Sequence, residues 1–228
     1  MKFIFALILI TLTANASDTI PLLDSNGKTS KIKWNIVNDT VMGGRSSSRW
    51  IKNSTALSFE GFLSLENNGG FASVRHDLKN IDLSSTDGIF IKVKGDGRKY
   101  QFRIRSQASR WANYSQEFKT KRNTVQTFFL PYKEFKPSWR GRSVRNVPTL
   151  SGKDVRGIGF LLGDKAQGKF KLEVLSISAS THKYYKKLLS DSGISSSSKI
   201  LKKTIKTLVL QSYYLPIFSS VLLTPPFL

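Results

Sequence analysis

Between residues 34 and 177, apolar and polar positions alternate with a period of two. Leu57 and Phe59 are separated by a polar neighbour, and Ile89, Ile91 and Val93 repeat the pattern. Tyr100, Phe102 and Ile104 do so again, as do Phe170, Leu172 and Val174. Alternation of this kind puts one face of an extended strand in a core and the other in solvent. The runs are short, and Asn67-Asn68-Gly69-Gly70, Gly95-Asp96-Gly97 and Gly163-Asp164 punctuate them with residues that turn a chain tightly between strands. Residues 128–130 and 159–162 are apolar without alternation, which predicts strands covered on both faces. No segment before residue 180 sustains a helical period. The pattern therefore predicts one all-β sandwich over residues 17–180.

The two ends read differently. Residues 1–16 carry one lysine, an apolar run and an Ala-Asn-Ala site, the arrangement of a cleaved secretory signal peptide. The run is too short for a membrane-spanning helix, which needs about 20 apolar residues. It is also neither Arg-rich nor amphipathic, as a mitochondrial transit peptide would be. The expectation is export to a periplasm, the exterior or a secretory pathway. Residues 181–228 form a separate tail. A serine stretch over 195–198 precedes a basic amphipathic helix over 199–210, with Leu201, Ile205 and Leu208 on one stripe. The largely apolar end is broken by Pro216, Pro225 and Pro226, which favours a surface-seated or disordered tail over a span.

Charge changes this picture more than any other bulk property. The 228 residues carry 36 Lys and Arg against 15 Asp and Glu, a formal net charge of +21. The excess is densest over 98–145, where Tyr100, Trp111, Tyr114 and Trp139 are interleaved with the cations. Such a surface suits nucleic acid, an anionic glycan or an acidic membrane surface. In an exported chain, nucleic acid falls behind the other two. Arg103 and Arg105 alternate with Phe102 and Ile104 and so share a solvent face; with Lys121 and Arg122 they form an expected basic stripe.

Catalytic chemistry finds little support. There are no cysteines, which rules out disulfides, thiol nucleophiles and Cys-bound metal. Only two histidines are present, His76 and His182, so neither a multi-His metal centre nor a Ser-His-Asp triad is expected. No pair of acids shares a motif, and Gly95-Asp96-Gly97 opens no helix, so it is a hairpin turn rather than a phosphate cradle. No catalytic residue, cofactor or metal is predicted.

The densest stretch of unusual residues is 34–48, Trp-Asn-Ile-Val-Asn-Asp-Thr-Val-Met-Gly-Gly-Arg-Ser-Ser-Ser. It combines Asx residues, paired glycines, one carboxylate, one guanidinium and several hydroxyls. Asn, Asp and Thr turn a chain by bonding to backbone, and Gly43 and Gly44 permit positive φ or close approach. This stretch resembles the signature of the complex I intermediate-associated protein 30 family. The resemblance continues through residues 61–75, 93–105, 130–142 and 158–177, in order. It implies a galactose-binding-like jelly-roll sandwich and a chaperone-like role in assembling respiratory complex I, with a respiratory-complex subunit as protein partner. By the same resemblance the compartment would be the mitochondrion, against the export expected from residues 1–16.

The expected partner or ligand site comprises Asp39, Met42, Gly43, Gly44, Arg45 and Ser46 on the turn, with Arg75, Arg98, Tyr100 and Arg140 from the other family-like motifs. Asp39 is expected to pair with Arg75 or Arg140. Trp34, Met42, Phe71 and Phe160 read most simply as core. Two functions follow: a non-catalytic, assembly-chaperone-like binding protein or, alternatively, an exported carbohydrate-binding module whose Trp and Tyr stack on sugar rings.

Overall fold

The computed structural model describes residues 19–24, 33–53 and 56–191. Its strands in chain order are β1 (Thr19–Asp24), β2 (Asn35–Ile36), β3 (Ser47–Lys52), β4 (Leu57–Leu63), β5 (Ala72–Asp77), β6 (Gly88–Lys94) and β7 (Lys99–Ser106). They continue with β8 (Asn113–Lys119), β9 (Val125–Pro131), β10 (Lys136–Trp139), β11 (Arg142–Ser143), β12 (Val155–Leu162) and β13 (Gly168–Ser180), followed by the helix α1 (His182–Asp191).

The strands form two antiparallel sheets. The six-stranded sheet runs β3-β4-β13-β6-β9, with β1 also paired to β13; the seven-stranded sheet runs β11-β10-β8-β7-β12-β5-β2. The long strand β13 can take both β1 and β4 because they pair with different halves of it, Gly168 to Val174 facing β4 and Ser176 to Ser180 facing β1.

The predicted alternation sets the core. Tyr100, Phe102 and Ile104 on β7 are fully buried, as are Phe59, Ile89, Ile91, Val93, Phe160, Leu162, Leu172 and Val174. Phe160 sits opposite Phe102 in register, and the two rings meet edge to face at 5.2 Å. Fully burying such side chains contributes about 1.5–3 kcal/mol each, which lets a chain without disulfides hold a sandwich on packing alone. All-β architecture with two sheets is what the sequence pattern predicts.

One detail differs. Residues 128–130 are not a strand covered on both faces: β9 is the edge of its sheet, and Phe128 and Phe129 are only half-buried. Phe129 packs on Phe90 at 4.8 Å and on the His182 ring at 5.6 Å, while Tyr184 meets Phe90 edge on at 6.0 Å. The apolar run covers an outer face under the start of α1.

The chain divides into two units, Met1–Tyr184 and Tyr185–Leu228. In the second, the described residues are the end of α1. The predicted signal peptide at 1–16 and the predicted helix at 199–210 lie outside the described residues. No described helix is long and apolar enough to cross a membrane.

Candidate functional site

The 39–46 turn is built on a buried carboxylate. After β2 the chain still pairs with the strand beside it, Val37 N–H donating to Ser73 O at 2.9 Å and Asp39 N–H to Phe71 O at 3.1 Å. It then winds into one 3-10 turn, Asp39–Met42, ended by Gly43 at φ 86°, a left-handed conformation that glycine adopts without steric cost. The Asp39 side chain is fully buried. Its Oδ1 accepts from Ser46 N at 2.9 Å, and its Oδ2 from Ser46 Oγ at 2.6 Å, Gly70 N at 2.7 Å and Phe71 N at 3.3 Å. Two loops distant in sequence are thus closed on one charge.

Gly44 and Gly69 make room for it. A Cβ at Gly44 would overlap the Asp39 carboxyl carbon, and one at Gly69 would stand 2.6 Å from Oδ2. Burial alone would raise the Asp39 pKa, but the Ser46, Gly70 and Phe71 donors outweigh it and hold the carboxyl below its ordinary value.

The expected arginine partner is therefore corrected. Asp39 is satisfied by backbone N–H groups and one hydroxyl, and Arg75 and Arg140 lie elsewhere. Donors already aligned by the turn stabilise the charge without bringing a second ion out of water.

Above this base the turn is exposed. Val41 and Met42 are each 69% accessible, so Met42 belongs to the surface and not to the core. Arg45 is exposed and pairs with Glu66 at 3.0 Å, and Asn67 Nδ2 donates to Gly43 O at 3.1 Å. Leu65 adds a further exposed apolar side chain beside Glu66. Gly44 and Ser46 are buried beneath these residues. Trp34 is half-buried against Trp50 at 4.4 Å, and Phe160 is core as expected.

Arg98 and Tyr100 brace a different corner. Arg98 grips Asp164 from two nitrogens, Nε to Oδ2 at 3.0 Å and Nη2 to Oδ1 at 2.5 Å, and also donates to the carbonyls of Ala166 and Gly168. Burial opposes the Arg98 charge, but Asp164 more than compensates and raises its pKa. Tyr100 is fully buried, and its hydroxyl donates to Asp96 Oδ2 at 3.0 Å. These two residues join turns and are not free for a ligand. Arg140 adopts φ 47° in the turn between β10 and β11 and lies over the Trp139 ring at 4.6 Å, an exposed cation–π pair.

The expected basic stripe divides between the two sheets. Arg103 and Arg105 point outward from β7, and Arg75 points outward from β5 on the other side of β12. Gly159 is opposite both Arg75 and Arg103, and Gly157 is opposite both Asp77 and Arg105. Arg105 pairs with Asp77. Arg122 instead sits beside the 95–97 turn, bridged to Gly95. There it borders a groove of about 710 Å3 over the six-stranded sheet, with Arg49, Phe62, Arg98, Lys169 and Lys171. Lys121, exposed, is its chain neighbour. One face of β7 could be read from the sequence; which other strands flanked it could not. Sequence reading also missed Asp164 and the pair Gly157 and Gly159, whose spacing of two inside an apolar strand marks a close approach on one face.

Among the described residues no group of three or more acidic, His or Cys side chains is placed to hold a metal ion.

Comparison with known proteins places the fold and the motifs. The described sandwich is similar to a family 11 carbohydrate-binding module from a cellulosomal cellulase of Clostridium thermocellum, at 16% identity and TM-score 0.54, over 72% of this chain and 95% of the module. A family 11 module of the same organism, solved with a β-1,3-1,4-mixed-linked tetrasaccharide, is similar at 14% identity and TM-score 0.50, over 73% of this chain and 98% of that one. At such identities the likeness is one of fold. In sequence, the chain is 27% identical over 174 residues to the mouse (Mus musculus) mitochondrial protein named complex I intermediate-associated protein 30, covering 62% of this chain and 50% of the mouse protein. The chain thus matches about half the length of that relative. Residues 23–174 match the family profile described as complex I intermediate-associated protein 30, a span that takes in all five motifs but for the last residues of the fifth. The chain belongs to the complex I intermediate-associated protein 30 family.

Proposed function

We propose that this domain is a non-catalytic docking module that holds a protein partner through the 39–46 turn, in the manner of an assembly factor for respiratory complex I. One observation carries the reading: Val41 and Met42 stand 69% exposed on a base closed by the fully buried Asp39. An apolar tip on an ordered base loses little conformational freedom when it binds, so most of its contact free energy appears as affinity. Methionine adapts its shape to a partner surface, and the flanking Arg45–Glu66 pair forms a polar rim. Family membership supports a complex I assembly-related role, and with it the proposal of a respiratory-complex subunit as the partner. The mouse relative's name carries the word mitochondrial. Export through residues 1–16 is the competing placement, and fractionation of tagged full-length chain distinguishes the two.

The test is a photo-crosslinker at the exposed Thr40 on the same turn, followed by identification of the adduct. A complex I subunit or intermediate is expected, and Val41→Ser with Met42→Ser should abolish capture without changing stability. Unchanged capture by that double variant would overturn the reading.

Carbohydrate binding is a second reading, favoured by the exposed rings of Trp111 (51%) and Trp139 (44%), since such rings stack on sugars. A glycan array is its test: one sugar class bound reproducibly, and lost in Trp111→Ala and Trp139→Ala, supports it. Silence removes it.

A further inference from the structure

Three arginines with one carboxylate between them occupy the outer face of the seven-stranded sheet. Arg75 on β5 and Arg103 on β7 face each other across Gly159 of β12, and Asp77 and Arg105 face each other across Gly157. Adjacent strands lie about 4.8 Å apart, so the two arginine-bearing backbones are separated by about 10 Å. With no side chains on β12 at these two positions, the floor between the arginines is bare backbone, and both glycines are buried beneath neighbouring side chains. The arginines lie over this floor: a Cβ at Gly157 would stand 2.7 Å from Arg105 Nη2, and one at Gly159 would stand 3.4 Å from Arg75 Cγ.

We infer that this arginine cluster is a binding site for a tetrahedral oxyanion, a phosphate or sulfate group gripped from both sides by Arg75 and Arg103, with Arg105 beside them. Arg105 has Asp77 as a partner, whereas neither Arg75 nor Arg103 makes a side-chain hydrogen bond or ion pair among the described residues. The Nε atoms of Arg103 and Arg105 are buried without an acceptor. A buried donor left unmade costs free energy, and so does holding like charges together; a fold bearing both has a place prepared for an anion. The same strain appears in the acid–base behaviour. Burial, then the neighbouring Arg75, push Arg103 down to about 10, and burial, then Arg105, lower Arg75. Carboxylate oxygens lie in one plane and suit a single guanidinium, as Asp77 suits Arg105. A tetrahedral group presents oxygens in several directions and can accept from opposite walls at once.

Calorimetric titration of the full-length chain with inorganic phosphate, at ionic strength held constant with chloride, tests the site. Saturable binding is expected. Arg103→Gln and Arg75→Gln should each weaken it about tenfold or more, while Lys133→Gln, an equal loss of charge at an exposed position outside the cluster, should leave it unchanged. Asp77→Asn should tighten phosphate binding severalfold, because it removes the carboxylate that competes for Arg105. A purely structural arginine cluster does not produce that opposite sign. Inorganic sulfate should bind comparably and acetate much more weakly. Glucose 6-phosphate separates the sources: tighter than the free ion if the group arrives on a larger molecule, weaker if the free ion is the ligand. Chloride binding as tightly as phosphate, Lys133→Gln weakening binding as much as Arg103→Gln, or acetate matching phosphate would each overturn the assignment. Should an arginine variant fail to fold, the wild-type titration and the Asp77→Asn shift still decide.

Discussion

Removing the Asp39 carboxylate should loosen the 39–46 turn and with it the domain. In Asp39→Ala, Ser46 Oγ can turn to Ser64 O, 3.2 Å away. The N–H groups of Ser46, Gly70 and Phe71 lose their acceptor. A buried donor left unmade costs about 1–3 kcal/mol. The Gly70 and Phe71 bonds are only part-buried, and water can replace some of the loss. The expected destabilisation is about 3–5 kcal/mol, or roughly 10 °C in Tm for a domain of this size. Urea denaturation of the full-length chain, followed by far-UV circular dichroism, measures it. The pH dependence has a definite sign. The folded pKa of Asp39 lies below its unfolded value of about 3.9. Its contribution is thus fully present above that pH and lost as pH falls through the depressed folded value. The gap between wild type and Asp39→Ala should be constant from neutral pH to about 5 and close in stronger acid. Gly44→Ala supplies the geometric control. Gly44 is not among the positive-φ residues, so the added methyl acts through its overlap with Asp39. It should cost about 2 kcal/mol in wild type and at least about 1 kcal/mol less in Asp39→Ala. A loss below about 1 kcal/mol for Asp39→Ala, or equal costs of Gly44→Ala in the two backgrounds, would refute the reading that the Asp39 carboxylate holds the two loops together.

Further outcomes can be checked by the same unfolding measurement. Arg98→Ala should cost about 3–5 kcal/mol, because it strands the nearly buried Asp164; Arg98→Lys should recover only part of this, since an ammonium cannot reproduce the two-nitrogen grip. Gly61→Ala should cost about 2 kcal/mol or more, as its methyl would overlap the Ser47 carbonyl of the neighbouring strand. Phe160→Ala, at the centre of the aromatic packing, should cost about 3–5 kcal/mol. Val41→Ser and Met42→Ser, both at exposed positions, should change stability by no more than about 0.5 kcal/mol.

The turn shows how far composition reaches. Asp39, the two glycines and the serines can be recognised in sequence as a corner that needs special conformations. That Met42 rides outside it cannot. Met is apolar and adaptable, and only the direction of the 3-10 turn decides whether position 42 faces the core or solvent. The missing arginine partner has a similar cause. A carboxylate and three guanidiniums in family-like motifs invite pairing by charge, but backbone N–H groups carry no residue signature, and Gly70 and Phe71 became donors only when the 64–71 loop folded against the turn.

Period-two alternation determined on its own that the chain forms strands, which face of β7 carries Arg103 and Arg105, and that Phe102 and Ile104 go inward. This follows because the side chains of a strand alternate whatever its neighbours are. The order β11-β10-β8-β7-β12-β5-β2 was decided by tertiary pairing. It set Arg75 and Arg103 on either side of Gly159, and sent Arg122, much nearer Arg103 in sequence than Arg75 is, to the turn beside the other sheet. Hydrogen bonding between strands is made by backbone common to every residue. Partner choice therefore depends on the packing of the whole sandwich, and the grouping of charges on its surface is inherited from that packing.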